Sequence, residues 1–198
     1  MIADGKRGDV PVSARAYAQA MVGSTDSPFG PVPGLGADGF TANPLLGVDA
    51  LEPMIEGAER AGGAVFMLVR TSNPGAADVE DLDTPDGPVH ERLARIADRF
   101  ADRLAGPESG LSGAGAVVGA TRPEHIARLR ELMPRAIFLI PGVGAQGGRP
   151  EDLGAAFAPG PAAALVAASR SIAGADDPAA AAEELRRKVW AVSGGQPV

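Results

Sequence analysis

The stretch MIADGKRGD, residues 1–9, contains an apolar start and a charged turn, and a helical run follows it. A strand, a charged turn and a helix in this order are where an α/β barrel carries its chemistry. On an extended segment Asp4 and Lys6 point to the same side, because side chains alternate with a period of two. An adjacent carboxylate keeps the ammonium protonated, so Lys6 could donate a proton to a carbanion-like centre. A solvated turn, with Asp9 complementing the helix dipole, explains the same residues.

Short apolar runs alternate with longer amphipathic stretches along the rest of the chain. The predicted strands are residues 1–4, 37–43, 64–70, 114–118, 136–140 and 162–167, and the predicted helices are 12–22, 48–60, 89–104, 123–132, 150–157 and 178–192. The strands are apolar throughout, which is typical of parallel strands buried on both faces. We therefore predict about six βα units of a TIM (β/α)8-type barrel in a single domain, residues 1–198, with a doubly wound open sheet as the alternative.

The composition excludes several classes of protein. The 198 residues carry a formal net charge of -7, which argues against nucleic acid or acidic membranes as partners. The chain has no cysteine, so it has neither a disulfide framework nor thiolate chemistry. No apolar run approaches the roughly 18 residues of a membrane span, and no signal peptide is visible. We expect a soluble, cytoplasmic protein.

Polar groups follow the predicted strands. Asn43 and Ser72 each follow a strand, although turn chemistry explains both equally well. In IPGVGAQGG, residues 140–148, the glycines expose backbone N–H groups and Gln146 adds an amide, so we favour a ligand-binding loop over a flexible connector. Arg170 follows the last strand, where barrels often hold phosphate, although a surface arginine is equally consistent.

Three further predictions concern helices and loops. His90 and His125 lie in helical stretches without a partner at metal-ligand spacing, so we expect both on the surface and predict no metal site. Thr121 is a candidate cap for the helix 123–132. Residues 75–87 are polar and irregular, which predicts a mobile loop.

Taken together, the ordered segments resemble the orotidine 5′-phosphate decarboxylases, and most closely the bacterial branch found in actinobacteria. The resemblance runs from residue 3 to about residue 173. The matching segments are ADGKRGDV (3–10), NPLLG (43–47), VRTSNPGA (69–76), VGAT (118–121), PGVGAQGG (141–148) and ASR (168–170).

The resemblance implies a carboxy-lyase that converts orotidine 5′-phosphate to UMP and CO2 in pyrimidine biosynthesis. It also implies a TIM barrel that works as a homodimer without a metal or an organic cofactor. In that family the Asp-x-Lys-x-x-Asp array is catalytic, so Asp4 would face the substrate carboxylate, Lys6 would protonate C6 and Asp9 would act across the dimer. The implied substrate-binding residues are Ser13, Asn43, Ser72, Pro141, Gln146, Gly147, Ser169 and Arg170.

The resemblance further implies two βα units ahead of the Asp-x-Lys-x-x-Asp strand. We therefore expect this barrel to be N-terminally incomplete, and residues 1–198 alone to be poorly active or aggregation-prone, since six strands leave two edges unpaired. Two alternative functions stay open. One is a Mg²⁺-dependent sugar-phosphate decarboxylase or aldolase of the same barrel group, and the other is an inactive barrel fragment.

Overall fold

The apolar runs of the sequence form six parallel strands, which the computed structural model, describing residues 1–195, places in one sheet. They are β1 (Ile2–Arg7), β2 (Gly39–Ala42), β3 (Ala64–Arg70), β4 (Ser112–Val118), β5 (Ala136–Ile140) and β6 (Ala164–Val166). Each strand pairs with the next one along the chain. A doubly wound sheet reverses its strand order at a switch point, and this sheet does not, so the barrel-type prediction is confirmed. Within residues 1–195, β1 and β6 are the two edges.

The connections between strands carry the helices. These are α1 (Pro11–Met21), α2 (Val48–Ala61), α3 (Val89–Asp98), α4 (Pro123–Leu132), α5 (Arg170–Ala173) and α6 (Pro178–Val192). Shorter 3₁₀ turns are Pro44–Leu46, Pro74–Asp78, Pro150–Phe157 and Pro161–Ala163, and two small hairpins pair Ser24–Thr25 with Val32–Pro33 and Asp83–Thr84 with Gly87–Pro88. In the part of the chain that the structure describes, none of these helices has the length and apolarity that a bilayer crossing requires.

Local chemistry explains where several helices begin and end. Proline stands in the first turn of α1, α4 and α6, where its missing N–H leaves no hydrogen bond unmade. The Asp177 carboxylate accepts the Ala180 N–H at 3.0 Å and caps α6. Gly62 ends α2 in the left-handed conformation at φ 65°, which favours glycine.

The core lies between the sheet and the helices that cover it. Phe40, Met67 and Phe138 of the strands are fully buried, as are Met54 of α2 and Leu129 of α4. Helices α1 and α2 pack closely, since a Cβ built on Gly57 would lie 2.6 Å from the Ala18 Cβ. Small residues at such contacts allow interiors to reach crystal-like packing density.

One arginine lies inside this core. Arg130 of α4 is 6% exposed, and its guanidinium stacks 3.7 Å from the centre of the Phe138 ring. Burial lowers the pKa of Arg130 to about 10. Its terminal nitrogens donate at 2.7 to 3.2 Å to the backbone carbonyls of Met133, Ala136, Ala156 and Ala163. The side chain therefore joins the end of α4, the start of β5 and two 3₁₀ turns.

Several predicted boundaries are wrong for identifiable reasons. Strand β1 continues to Arg7 because the Asn43 N–H donates to the Arg7 carbonyl at 2.8 Å, so Lys6, which lies beyond the predicted strand 1–4, belongs to a strand and not to a turn. Helix α3 ends at Asp98, after which the chain tightens, with the Phe100 N–H bonded to the Ala97 carbonyl. The predicted helix 150–157 has the predicted bounds but is a 3₁₀ helix, and the segment 75–87, predicted as an irregular loop, contains a 3₁₀ turn and a hairpin.

Candidate active site

A cleft of about 350 Å³ opens at the carboxyl ends of the strands. Its lining combines charged and polar groups with apolar walls: Asp4, Lys6, Thr71, Ser72, Asn73, Val117, Leu139, Pro141, Gln146 and Ala167. A neighbouring cavity of about 400 Å³ shares Ser72, Asn73 and Gln146 with it. A larger cavity of about 610 Å³ lies between α1 and α2, away from the strand ends. Because barrels keep their chemistry at the strand ends, the first cleft is the candidate site.

Asp4 and Lys6 form an ion pair at this cleft. The Lys6 Nζ lies 2.6 Å from both carboxylate oxygens of Asp4. This contact agrees with the prediction that the two side chains point to the same side. Partial burial opposes ionisation of Asp4, but hydrogen bonds from Lys6 and Thr41 outweigh it and lower the pKa of the carboxyl group. The Asp4 carboxyl group is therefore ionised at neutral pH, and both side chains are about half exposed, 49% for Lys6 and 58% for Asp4.

The backbone of Lys6 is unusual. Its φ is 48°, and among residues 1–195 it is the only non-glycine residue with a positive φ. The β1–β2 pairing shifts register between Ala3 and Arg7, as a β-bulge does next to an active site. A non-glycine residue in this conformation costs about 1–3 kcal/mol, so the surrounding contacts must hold it.

Thr41 makes the contacts that keep Lys6 in this conformation, and it was not among the predicted site residues. This residue of β2 is fully buried and faces the bulge. Its Oγ1 accepts the Lys6 N–H at 2.9 Å and donates to the Asp4 Oδ1 at 2.9 Å. The one hydroxyl therefore orients both members of the ion pair. In the sequence Thr41 is one more residue of an apolar strand, and only the strand pairing reveals its partners.

We expect Thr41→Val to weaken both the fold and the ion pair. The substitution keeps the shape but leaves the Lys6 N–H unpaired, and an unsatisfied buried donor costs about 1–3 kcal/mol. The pKa of Asp4 should also rise, since one of its hydrogen bonds is lost. Urea unfolding and NMR titration of Asp4 measure the two effects, with the exposed Thr25→Val as the control. Unchanged stability together with an unchanged Asp4 pKa would contradict this role.

The glycine loop, residues 141–148, bends back over the Ser72 turn, residues 71–75. Gly142 has a φ of 95°, and a Cβ built on it would lie 2.8 Å from the Ser72 Cβ. Both the backbone conformation and the lack of space therefore require glycine at this position. The Gly148 N–H donates to the Gly142 carbonyl at 3.0 Å and closes the loop on itself. Gln146 is thereby held at the rim of both cavities.

The other predicted site residues divide into two groups. Ser72, Pro141 and Gln146 line the cleft with Asp4 and Lys6. The residues that are not part of this lining are Asp9, Ser13, Asn43, Gly147, Ser169 and Arg170. The Asn43 Oδ1 accepts the Leu45 N–H at 3.0 Å and caps a 3₁₀ turn, which is the turn interpretation that the sequence left open. Asp9 and Ser13 lie at the start of α1, while Ser169 and Arg170 lie at the start of α5.

Two predictions near the cleft are wrong. Thr121 does not cap α4, which begins after Arg122 without a side-chain cap. Its Oγ1 donates instead to the Ser72 carbonyl at 3.1 Å. His90 is buried and not on the surface, and its ring centroid lies 4.6 Å from that of His125. The two rings come together because α3 and α4 pack against each other, which no spacing along the sequence reveals.

Comparison with known proteins gives consistent matches. A family model described as "Orotidine 5'-phosphate decarboxylase / HUMPS family" matches residues 1–185. The orotidine 5′-phosphate decarboxylase of Deinococcus radiodurans is 41% identical over 172 residues, which are 87% of this chain and 58% of the relative. That of Rhodopirellula baltica is 41% identical over 173 residues, 87% of this chain and 56% of the relative.

The solved structures agree with the curated relatives. The putative orotidine-monophosphate-decarboxylase of Toxoplasma gondii superimposes with a TM-score of 0.76 at 30% identity, covering 97% of this chain and 68% of that one. The chain spans about half the length of the curated relatives it matches.

Proposed function

The chain belongs to the orotidine 5′-phosphate decarboxylase / HUMPS family, and we propose that its cleft decarboxylates orotidine 5′-phosphate to UMP and CO2. The observation that carries this proposal is the Lys6 Nζ, held 2.6 Å from both oxygens of Asp4 at the rim of the strand-end cleft. The pair brings a proton donor and a fixed negative charge to one point, and decarboxylation through a carbanion-like centre uses both.

The proposed reaction assigns one task to each charge. Asp4 repels the substrate carboxylate, and this repulsion is relieved as CO2 departs, so it acts on the ground state more than on the transition state. When the bond to CO2 breaks, its electron pair stays on C6 of the pyrimidine. Lys6 stabilises that negative charge and transfers a proton from Nζ to C6, then regains a proton from water.

Three loops are proposed to bind the rest of the nucleotide. The Ser72 hydroxyl would bond the pyrimidine edge, next to Pro141 in the cleft wall. Gln146 and Arg170 would hold the 5′-phosphate. The glycine loop supports this arrangement, since a Cβ on Gly144 would lie 2.9 Å from the Ser171 Oγ, next to Arg170. The predicted substrate contacts Asn43, Gly147 and Ser169 stay predictions.

We also propose that the enzyme is a homodimer in which Asp9 reaches the partner's cleft. Asp9 and Ser13 lie outside the cleft lining of their own chain, and two apolar residues next to them in the sequence, Val10 and Val12, are exposed. Val12 is 83% exposed and Leu45 is 68% exposed. Apolar patches of this kind mark association surfaces. Because phosphorylated nucleotides cross membranes poorly, we propose that the enzyme acts in the cytoplasm.

The Mg²⁺-dependent alternative is less well supported. Both oxygens of Asp4 face the Lys6 ammonium, and a positive charge at this distance competes with a cation for the same ligands. Incubating the chain with orotidine 5′-phosphate and following CO2 release tests the proposal directly. We expect slow turnover, because a six-stranded sheet with two unpaired edges within residues 1–195 is expected to be poorly active, and we expect that turnover to persist in excess EDTA. Turnover that EDTA abolishes and Mg²⁺ restores would favour the alternative, and no turnover would refute the proposed activity.

Arg170→Ala should weaken the binding of UMP much more than the binding of uridine. A hydrogen bond to a charged group is worth about 1.5–3 kcal/mol, so we expect a roughly ten- to hundredfold weaker Kd for UMP. Calorimetric titration measures both ligands, and Arg92→Ala, an exposed arginine of α3, is the control. Equal losses for UMP and uridine would show that Arg170 does not hold the phosphate.

A further inference from the structure

The last residue of β3, Arg70, lies beneath the Ser72 turn. Its side chain is 3% exposed, and its Nε and Nη2 donate to the two carboxylate oxygens of Asp81, both at 2.8 Å. Its Nη1 donates to the Thr71 carbonyl at 2.5 Å. A bidentate, charge-assisted pair of this kind fixes geometry as well as contributing energy. The pair joins the two ends of the segment 70–81.

Glu80 makes the second connection between these ends. Its Oε2 accepts the Thr71 N–H at 2.8 Å, and its carboxylate accepts the Thr71 hydroxyl at 3.0 and 3.1 Å. The Glu80 carbonyl in turn accepts the His90 N–H at 2.8 Å and lies 2.9 Å from the His90 Nδ1. Helix α3 therefore fixes Glu80 at the far end of the segment. Glu80 in turn fixes Thr71 at the near end, next to Ser72.

Two histidines complete this cluster. The His90 Nδ1 lies 3.2 Å from the Asp81 Oδ1, and the His125 ring packs against the His90 ring in a tilted arrangement, at an interplanar angle of 59°. Their ligand atoms and that of Asp81 lie within 4.8 Å of one another, a spacing at which a metal could bind. However, Arg70 already neutralises Asp81, and both rings lie in the first turn of a helix, where the dipole disfavours cations.

We infer that the Arg70–Asp81 pair positions Ser72 for substrate, and that protonation of His125, whose ring contacts that of His90, loosens this support. The inference rests on the proposed function for the role of Ser72, but the support itself is independent of any activity. Asp81 acts here as a positioning residue. The Thr121 hydroxyl, bonded to the Ser72 carbonyl, anchors the same turn from the side of β4.

The charges around the rings determine the direction of the pH effect. The groups that face them are Arg70, Glu80, Asp81, Glu91 and Glu124. Burial, followed by the charge of His90, lowers the pKa of His125, although Asp81 and Glu124 oppose the change. The folded state therefore prefers neutral His125, while the unfolded chain takes up a proton near pH 6.5. Stability is complete above that pH and falls as the pH drops below it.

Amide hydrogen exchange of residues 70–82, expressed as protection factors, tests without any substrate whether the Arg70–Asp81 pair holds the Ser72 turn in place. At pH 7.5 we expect Asp81→Asn to lower these protection factors at least tenfold, while the exposed Asp83→Asn leaves them unchanged. In the parent chain we expect protection to fall between pH 7.5 and pH 5.5, and His125→Asn to remove this dependence. Protection that is equal in parent and Asp81→Asn, or independent of pH in the parent, would overturn the inference.

Steady-state kinetics distinguish the positioning role of Asp81 from the proposed decarboxylase activity. If the parent decarboxylates orotidine 5′-phosphate, Asp81→Asn should raise KM at least tenfold with a smaller change in kcat, because Ser72 binds the pyrimidine and does not transfer the proton. A fall of kcat by at least tenfold, with KM unchanged, would refute the positioning role. If the exchange results are as expected but the parent shows no turnover, the support stands and the proposed function fails.

Discussion

Lys6→Ala should lower kcat for decarboxylation by at least about a hundredfold, the smallest contribution usual for a general acid. Lys6 is the only cationic side chain among the residues that line the cleft, and it lies 2.6 Å from Asp4. Without it, none of the described residues that line the cleft carries a positive charge that could take the proposed role of protonating C6. Binding of UMP should remain measurable, because the proposed phosphate contacts lie on other loops.

The chain contains a matched control for this experiment. Lys188 is its only other lysine and pairs with Glu184 on α6 at 2.7 Å, away from the cleft. Lys188→Ala should therefore leave turnover unchanged. Turnover of Lys6→Ala within tenfold of the parent would remove Lys6 from the mechanism, whereas loss of UMP binding together with turnover would indicate that the cleft itself had collapsed.

Arg130→Met should destabilise the fold by about 3 kcal/mol or more, because hydrogen bonds to a charged group are worth about 1.5–3 kcal/mol each. The four carbonyls that Arg130 satisfies lie on separate segments, and the thioether of methionine can replace none of the donors. For a chain of this size the melting temperature should fall by roughly 6–12 °C.

Arg92→Met is the control for the core arginine. Arg92 lies on the exposed face of α3, with Asp86 as a partner at 3.5 Å, and exposed ion pairs contribute little. Calorimetric melting of the three proteins compares them directly. An Arg130→Met protein that melts with the parent would mean that water or a local shift satisfies the carbonyls.

The arrangement of strands could be predicted because its cause is local. The run of residues 64–69 is apolar at consecutive positions, and only a strand covered on both faces buries every side chain of such a run. The ends of elements were less predictable, because they depend on contacts with other segments. The Asn43 N–H that extends β1 to Arg7 comes from the residue that follows β2, and nothing near Arg7 in the sequence indicates it.

The residues of the candidate site likewise divide into those that the local sequence predicts and those that it does not. The contact between Asp4 and Lys6 was predicted from the alternation of side chains along one strand, and the structure shows the contact, although the left-handed backbone of Lys6 interrupts that alternation. Thr41 and His90 could not be assigned, because their roles come from partners on other elements. His90 resembles a surface histidine in its own helix and becomes buried only where α3 meets α4 and the segment that contains Asp81.

The left-handed backbone of Lys6 places folding and chemistry in conflict at one residue. A glycine would adopt a φ of 48° without the roughly 1–3 kcal/mol that a side chain costs there. The lysine is therefore retained at the expense of stability, and Thr41 returns part of that free energy through its two hydrogen bonds. A screen that selects variants for thermal tolerance alone would be drawn towards glycine at this position, and would lose the ammonium group while it improved the fold.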